Sequence, residues 1–313
     1  MIASYLVYTL LYLNETRAAS IRVLALVRNK DKALAHFGPI AKRPDFQLLV
    51  QDVCDPLPDC GPVHYIIHAA SQASPRQFTA DPVGTIRANT VGTATMLDEA
   101  VKRRSEGFLL LSTREIYGVQ TGNKEYAREQ DYGVTDPTAV RSCYPESKRL
   151  AETLCASYAS QYHVPAKVAR IAHTYGPGIT LGDGRVVGDF IQDVIQHKNI
   201  VMNSDGSAIL GLTYLSDLIT GLFLVLLNAP HFVYNVSSMD GILSVGDLAK
   251  VLTGLFPERN LQVQFQSISV QEKAGYLSHK IALLDSEAIM KEGWLPQVSI
   301  ESGFRRTVRF YEK

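Results

Sequence analysis

Tyr144 and Lys148 are the residues whose types and spacing could best do chemistry. They lie four positions apart in Tyr144-Pro145-Glu146-Ser147-Lys148, so on a helix both side chains share one face. A free tyrosine ionises near pH ~10 and is a poor base at neutral pH. A nearby ammonium, together with other positive charge, would stabilise the phenolate and lower its pKa toward neutrality. The pair predicts a base that takes a proton from a hydroxyl, but such pairs also arise by chance, so the surrounding sequence must support it.

The elements that must position this pair alternate between strands and helices. The predicted strands are Ile21–Val27, Phe46–Val50, Tyr65–His68, Phe108–Ser112, Ala166–Ile171 and Phe232–Val236, and the predicted helices are Thr85–Arg103, Pro145–Tyr162, Val187–Gln196, Leu215–Leu227 and Ile300–Tyr311. This order predicts an α/β fold with a Rossmann-like, doubly wound parallel sheet. Ligands of such sheets bind at the carboxyl ends of the strands, where Ser71, Thr113 and His173 are expected.

The sequence divides into two predicted regions, because Gly176-Pro177-Gly178 breaks the chain and shorter elements follow. We expect a dinucleotide-binding Rossmann domain made of residues 1–175 and 212–238. A smaller C-terminal substrate lobe is expected from residues 176–211 and 239–313. The 313 residues are enough to bury a substantial core in such an arrangement.

Composition argues against several classes of partner. The chain has 31 acidic and 31 basic residues, so we expect no nucleic-acid-binding face. Its four cysteines lack zinc-ligand spacing, which predicts reduced thiols, no metal site and a cytoplasmic protein. The apolar start, Met1 to Leu13, lacks a cleavage site and is too short to span a bilayer, so it predicts a buried helix and no membrane segment.

The first helix is predicted to meet the phosphates of a dinucleotide. Such units open with a strand, a glycine-rich turn and a helix whose N-terminus binds the pyrophosphate. Met1 to Leu6 is similar to the end of that turn, with Ile2 beside the phosphates, so we expect the first strand and most of the turn to be missing from this chain. The other interpretation is a simple N-terminal helix. Arg28 favours NADP over NAD, and Asp52 with Val53 is placed to meet the adenine.

Several stretches together resemble the extended short-chain dehydrogenase/reductase superfamily that acts on nucleotide sugars. They are His68-Ala69-Ala70-Ser71, Asn89-Thr90-Val91-Gly92-Thr93, Ser112-Thr113-Arg114-Glu115-Ile116-Tyr117-Gly118, Tyr144 to Lys148, and Arg170-Ile171-Ala172-His173-Thr174-Tyr175-Gly176-Pro177. The resemblance covers essentially the whole chain. It implies an NAD(P) cofactor and a homodimer formed through Thr85–Arg103 and Pro145–Tyr162. The cofactor contacts that it implies are Ala69, Ala70, Ser71, Asn89, Ser112, Tyr144, Lys148, Ile171 and His173.

Within the superfamily, the pattern is most similar to that of UDP-glucuronate decarboxylases, in Ala73-Ser74-Pro75, Arg141 to Tyr144, Lys148 to Leu154 and Asp183 to Val187. This resemblance implies that Tyr144 takes the proton of the sugar 4-hydroxyl while hydride passes to the cofactor, with Thr113 holding the same oxygen. The 4-keto sugar then loses carbon dioxide and is reduced again, assisted by Glu115. The implied substrate contacts are Ser74, Pro75, Arg114, His173, Arg185 and Val186.

Two departures from the family pattern leave alternatives open. Arg114 stands where dehydratases carry a proton-donating aspartate, which argues against 4,6-dehydration. Leu210 stands where the family usually has an arginine that grips the diphosphate or the sugar carboxylate, so Arg114 or Arg185 substitutes or the substrate differs. The alternatives are a nucleotide-sugar 4-epimerase or 4-ketoreductase, and a non-catalytic nucleotide-binding relative.

Overall fold

The computed structural model describes residues 1–120, 124–266 and 282–312. Its helices are α1 (Ile2–Arg17), α2 (Lys30–Phe37), α3 (Pro75–Ala80), α4 (Pro82–Arg103), α5 (Cys143–Tyr162), α6 (Val186–Ile195), α7 (Leu215–Leu227), α8 (Val245–Gly254), α9 (Glu287–Lys291) and α10 (Ile300–Phe310). Its strands are β1 (Val23–Val27), β2 (Phe46–Val50), β3 (Tyr65–His68), β4 (Gly107–Thr113), β5 (Tyr126–Ala127), β6 (Ala166–Ile171), β7 (His173–Tyr175), β8 (Ile200–Met202), β9 (Ile209–Tyr214), β10 (Val233–Val236), β11 (Ile242–Ser244), β12 (Val263–Phe265) and β13 (Leu283–Leu284).

The central strands form a four-stranded parallel sheet in the order β3-β4-β6-β10. β1 and β2 form a second, two-stranded parallel sheet. Among the described residues, no strand pairing joins these two sheets. Smaller sheets follow: β7-β9-β11, β8-β12 and β5-β13.

Side chains of β4 point alternately to two apolar layers, as the period of a strand requires. Phe108 and Leu110 pack in one layer with Leu97 of α4 and Ala151 of α5. Leu109 and Leu111 pack in the other layer with α7, through residues such as Leu222, and with Leu6 of α1. Helices therefore cover the sheet on both faces, which confirms the predicted Rossmann-like α/β fold.

Most element boundaries agree with the sequence prediction. The start of α4 is an example of a boundary that differs, and its cause is a helix cap. This helix begins at Pro82 rather than Thr85, because the Asp81 side chain accepts a hydrogen bond from the Gly84 backbone N–H and caps it. An aspartate N-cap followed by proline at the first helical position is a standard helix start. Asp81-Pro82 was therefore a readable signal that the apolar pattern alone did not include.

A third apolar cluster joins the later elements. Val187 and Ile191 of α6, Leu248 of α8 and Phe304 of α10 lie buried in it together with Tyr175. The division into two domains at the residue numbers given above remains a prediction. In the described part of the chain, every helix is too short or too polar to cross a lipid bilayer. The four cysteines are unpaired.

Candidate active site

Thr113, Tyr144 and Lys148 come together where β4 ends beside the start of α5. A hydrogen bond links the Thr113 and Tyr144 side chains. One turn further along α5, the Lys148 Nζ donates to the backbone carbonyl of Leu111 in β4 at 2.8 Å. All three side chains are buried, with 7, 6 and 2 % of their surface exposed. The helical spacing and the end of the strand thus produce the grouping that the sequence predicted.

The two central groups are perturbed in opposite directions by the same burial. Burial, followed by the Glu115 charge, raises the pKa of Tyr144, although the Thr113 hydrogen bond, Arg141 and Arg185 act to lower it. Burial lowers the pKa of Lys148 to about 8, while the nearby Glu152 carboxylate acts to raise it. We expected Lys148 to bring the pKa of Tyr144 down. The net shift is upward instead, because the cost of desolvating a phenolate outweighs the lowering effects of Thr113, Arg141 and Arg185.

Glu152 lies one helical turn after Lys148 and connects α5 to two strands. It accepts a hydrogen bond of 2.5 Å from the Ser112 hydroxyl of β4. It also forms a buried ion pair with Arg170 of β6, with 2.6 Å between Arg170 Nη2 and the carboxylate. Arg170 in turn donates to the Tyr117 hydroxyl at 2.9 Å. A buried, fully paired network of this kind holds the ends of β4 and β6 in a fixed relation to α5.

Phe78 covers the ring of Tyr144 and was not predicted from the sequence. The two rings stack with centroids 5.2 Å apart and an angle of 8° between their planes. Phe78 is completely buried. The Arg141 guanidinium lies over its ring, 4.5 Å from the centre, and forms a cation–π contact. Phe78 belongs to α3, which begins directly after Ser74. No short-range pattern identifies it, because its partner lies 66 positions away in the sequence.

The charged residues near the candidate site each have a different partner. Glu115 forms an ion pair of 2.9 Å with Arg141, and Arg185 forms one of 2.6 Å with Asp183. Arg114 Nη2 lies 3.3 Å from the His173 Nε2 instead. Arg185 also precedes α6, which begins at Val186. The structure therefore gathers the predicted substrate residues Arg114, His173 and Arg185 near Tyr144, since the Arg185 charge acts on the pKa values of both Tyr144 and His173.

Predicted cofactor residues form a second group at the ends of β1 and β2. The Arg28 guanidinium lies 3.9 Å from the Asp52 carboxylate. Val53 is buried, and its side chain packs closely against Gly92 of α4, where a β-carbon would meet it at 2.7 Å. Ile2 is the first residue of α1. The start of this helix lies near Arg185, as shown by the Arg185 charge, which lowers the pKa of the Met1 amino group in addition to the larger effect of burial.

The remaining predicted cofactor residues lie at the ends of β3, β4 and β6. Ala69, Ala70 and Ser71 directly follow β3, and Ile171 ends β6 beside Thr113 of β4. The fully buried Asn89 donates to the Ser147 hydroxyl at 2.9 Å and so ties α4 to α5. Within the described ranges, the Asn89 Oδ1 and the Ser71 Oγ are buried and have no hydrogen-bond partner. Such atoms are costly unless a ligand or water satisfies them, so both suit a polar ligand.

Comparison with known proteins identifies several relatives. The chain is 33 % identical over 274 residues to UDP-glucuronic acid decarboxylase 1 of Xenopus tropicalis, a match that covers 86 % of this chain and 61 % of that protein. It is 39 % identical over 179 residues to UDP-glucuronic acid decarboxylase 6 of Arabidopsis thaliana, covering 57 % and 51 % of the two chains. The chain thus spans little more than half of the length of these curated relatives.

Solved structures share the fold at lower sequence identity. A UDP-glucose 4-epimerase from Thermotoga maritima, determined with UDP-glucose, matches 100 % of this chain and 96 % of its own with a TM-score of 0.79 and 19 % identity. A dTDP-glucose 4,6-dehydratase from Streptomyces venezuelae, determined with NAD, matches 99 % and 94 % with a TM-score of 0.80 and 22 % identity. A family model matches residues 1–237, and the chain therefore belongs to the NAD dependent epimerase/dehydratase family.

Proposed function

We propose that this chain binds a nicotinamide dinucleotide and oxidises the C4 hydroxyl of a nucleotide sugar to a 4-keto intermediate, as in a UDP-glucuronate decarboxylase. The observation that carries the proposal is the buried group of Thr113, Tyr144 and Lys148 at the carboxyl end of β4. Membership of the family and the names of the relatives support the class of substrate. The proposal makes the chain an enzyme whose reactive centre is Tyr144.

The described residues fit such a cofactor. Arg28 and Asp52 suit the adenosine end, and Lys148 suits the ribose hydroxyls of the nicotinamide end. The unpartnered Ser71 Oγ and Asn89 Oδ1 offer further polar contacts. When bound, the nicotinamide supplies a hydride acceptor at the sugar carbon and a positive ring beside the phenol. We favour NADP over NAD because of Arg28. Its side chain is 67 % exposed, so the guanidinium can bind a 2′-phosphate.

Tyr144 acts as the base in this proposal, and its surroundings set when it can do so. Burial keeps the phenol protonated, so the proton leaves only when further positive charge stabilises the phenolate. Lys148 supplies part of that charge, since a pKa of about 8 leaves most of it as ammonium at neutral pH. Thr113 shares the substrate oxygen and Phe78 excludes water from one face of the ring. We infer that the base becomes active only in the assembled complex.

Replacing Tyr144 by phenylalanine tests the proposal. The variant keeps the ring that stacks on Phe78 but loses the proton acceptor, so we expect turnover of UDP-glucuronate to fall by about 100- to 10,000-fold. Turnover is measured with NAD or NADP as formation of the 4-keto or decarboxylated product. Tyr158→Phe is the matched control, because its hydroxyl lies on the same helix and bonds to Asp98.

The outcomes separate the candidate functions. Undiminished turnover in Tyr144→Phe, with Tyr158→Phe behaving identically, would contradict the proposal. Release of carbon dioxide from UDP-glucuronate supports a decarboxylase. Inversion at C4 without loss of carbon dioxide supports a 4-epimerase that begins with the same oxidation.

A further inference from the structure

Three guanidinium groups surround the candidate site, and they differ in their partners. Arg141 is paired with Glu115 and Arg185 with Asp183, each within 3 Å, so their charges are already balanced. Within residues 1–120, 124–266 and 282–312, Arg114 forms no ion pair with a carboxylate. Burial lowers the pKa of Arg114, and the Glu115 charge only partly offsets this. An uncompensated, desolvated cation of this kind is costly unless an anion completes its surroundings.

His173 supplies an acceptor beside Arg114. A guanidinium can only donate, so the 3.3 Å contact requires the His173 Nε2 to accept and places the ring proton on Nδ1. The Nδ1 is buried and has no hydrogen-bond partner in the part of the chain that is described. Burial and the charges of Arg114 and Arg185 hold the pKa of His173 far below its usual value, so the ring stays neutral. The imidazole therefore accepts from Arg114 without adding charge, and the guanidinium keeps its positive charge for a ligand.

The strand register explains why Arg114 meets His173. Thr113 of β4 lies beside Ile171 of β6, so the residues that follow these two positions leave the sheet together. His173 then opens β7 and pairs with Leu212 of β9. Leu210 of β9, where an arginine would be expected, is buried in the apolar cluster of the later elements. The guanidinium that contacts His173 is thus that of Arg114, which directly follows β4, and does not come from β9.

We propose that Arg114, held by the His173 Nε2, binds the carboxylate of an acidic sugar carried by a nucleotide. This inference rests on the proposed function and adds to it the residue that selects a sugar acid over a neutral sugar. A carboxylate would give Arg114 the counter-charge that it lacks. Arg185 is less suited to this role, because its guanidinium is already held by Asp183 through both Nε and Nη2.

Binding of two matched nucleotide sugars tests the assignment. UDP-glucuronate and UDP-glucose differ at C6, where one has a carboxylate and the other a hydroxymethyl group. Their dissociation constants are measured by calorimetry on the full chain, with Tyr144→Phe as background to prevent turnover. We expect the parent to prefer UDP-glucuronate and Arg114→Gln to lose about 10- to 100-fold of that preference, as expected for a charge-assisted contact.

Two further variants keep the test decisive. Arg114→Lys retains the positive charge, so it should keep part of the preference for UDP-glucuronate over UDP-glucose. If Arg114→Gln does not fold, the ratio measured for Arg114→Lys still tests the inference. Arg185→Gln should change the affinity for both nucleotide sugars by a similar factor and leave their ratio unchanged. The inference is overturned if the parent binds both ligands equally, or if Arg114→Gln keeps the parent's ratio. Binding of neither nucleotide sugar would contradict the proposed function as well, whereas an unchanged ratio with intact binding overturns only the role of Arg114.

Discussion

At the scale of single residues, the site is a set of buried groups whose charged forms need help from their neighbours. Tyr144 loses its proton more easily when positive charge lies nearby. Lys148 keeps its proton more easily when negative charge lies nearby. Glu152 supplies that negative charge from within the protein, while Arg170 and Ser112 hold it in place. For the proposed reaction, we therefore expect Glu152 to be a positioning residue that acts through Lys148.

Replacing Glu152 by glutamine should change the pH dependence of the reaction. The carboxylate acts to raise the pKa of Lys148, so its removal should lower that pKa further below about 8. The ammonium is then lost at a lower pH, and the alkaline fall of activity should move in the same direction. Turnover is measured across pH and each profile is normalised to its own maximum, so that a loss of folded protein does not affect the result.

Glu146→Gln is the matched control, because Glu146 lies on the same helix and pairs with Arg149 near the surface. Its normalised profile should coincide with that of the wild type. An alkaline limb that stays in place in Glu152→Gln would show that Glu152 acts only on folding.

The sequence allowed part of this site to be predicted. Thr113, Tyr144 and Lys148 follow from a strand end and from helical spacing, which are local signals. Phe78 and Glu152 acquire their roles from tertiary contacts, and a single sequence contains no signal for those. The sequence also left open whether Arg114 or Arg185 replaces a missing arginine. The structure distinguishes their surroundings, because Arg185 pairs with Asp183 whereas Arg114 contacts His173.

At the scale of elements, the apolar runs with clear ends were the most predictable parts. α7 begins and ends at the predicted residues, and so do β2, β3 and β6. These segments are apolar runs with clear ends, so local pattern and tertiary burial agree. Short strands such as β7 and β8 were not predicted, because three residues are too few to show a period. Their positions depend on pairing with β9 and β12.

The helices α4 and α5 also carry the prediction of a homodimer. They pack against each other, and each keeps large apolar side chains in solvent, including Ile86 with 42 % and Leu150 with 49 % exposed. We expect sedimentation to give about twice the chain mass of 34.5 kDa at micromolar concentration. Ile86→Arg with Leu150→Arg should reduce it to one chain mass, because charges buried in an interface are costly.

Leu295→Arg serves as the control, because Leu295 is 56 % exposed and lies on neither helix. It should leave the mass of the assembly unchanged. A wild-type chain that sediments as a single copy would refute the prediction.

At the scale of the whole molecule, the sheet is divided. Within the described residues, β1 and β2 pair only with each other, and β3, β4, β6 and β10 pair among themselves. The contacts between the two parts come from side chains, such as the Arg22 guanidinium, which donates to the Cys60 carbonyl before β3 at 2.5 Å. Proteins open locally in contiguous cooperative units, so we expect two sets of strands without shared backbone hydrogen bonds to open separately.

The consequence is a protein with two levels of local stability. Backbone amides paired between β1 and β2 should exchange with deuterium at least about tenfold faster than those paired between β4 and β6, which corresponds to about 1.4 kcal/mol of lower opening free energy. Arg22→Met should widen the difference. Equal protection in both pairs, measured by mass spectrometry of fragments, would show one cooperative unit. Faster exchange in β1 and β2 would mean that this pair of strands, which is followed by Arg28 and Asp52, opens while Tyr144 stays enclosed. A bound dinucleotide should then slow the exchange of the β1–β2 amides.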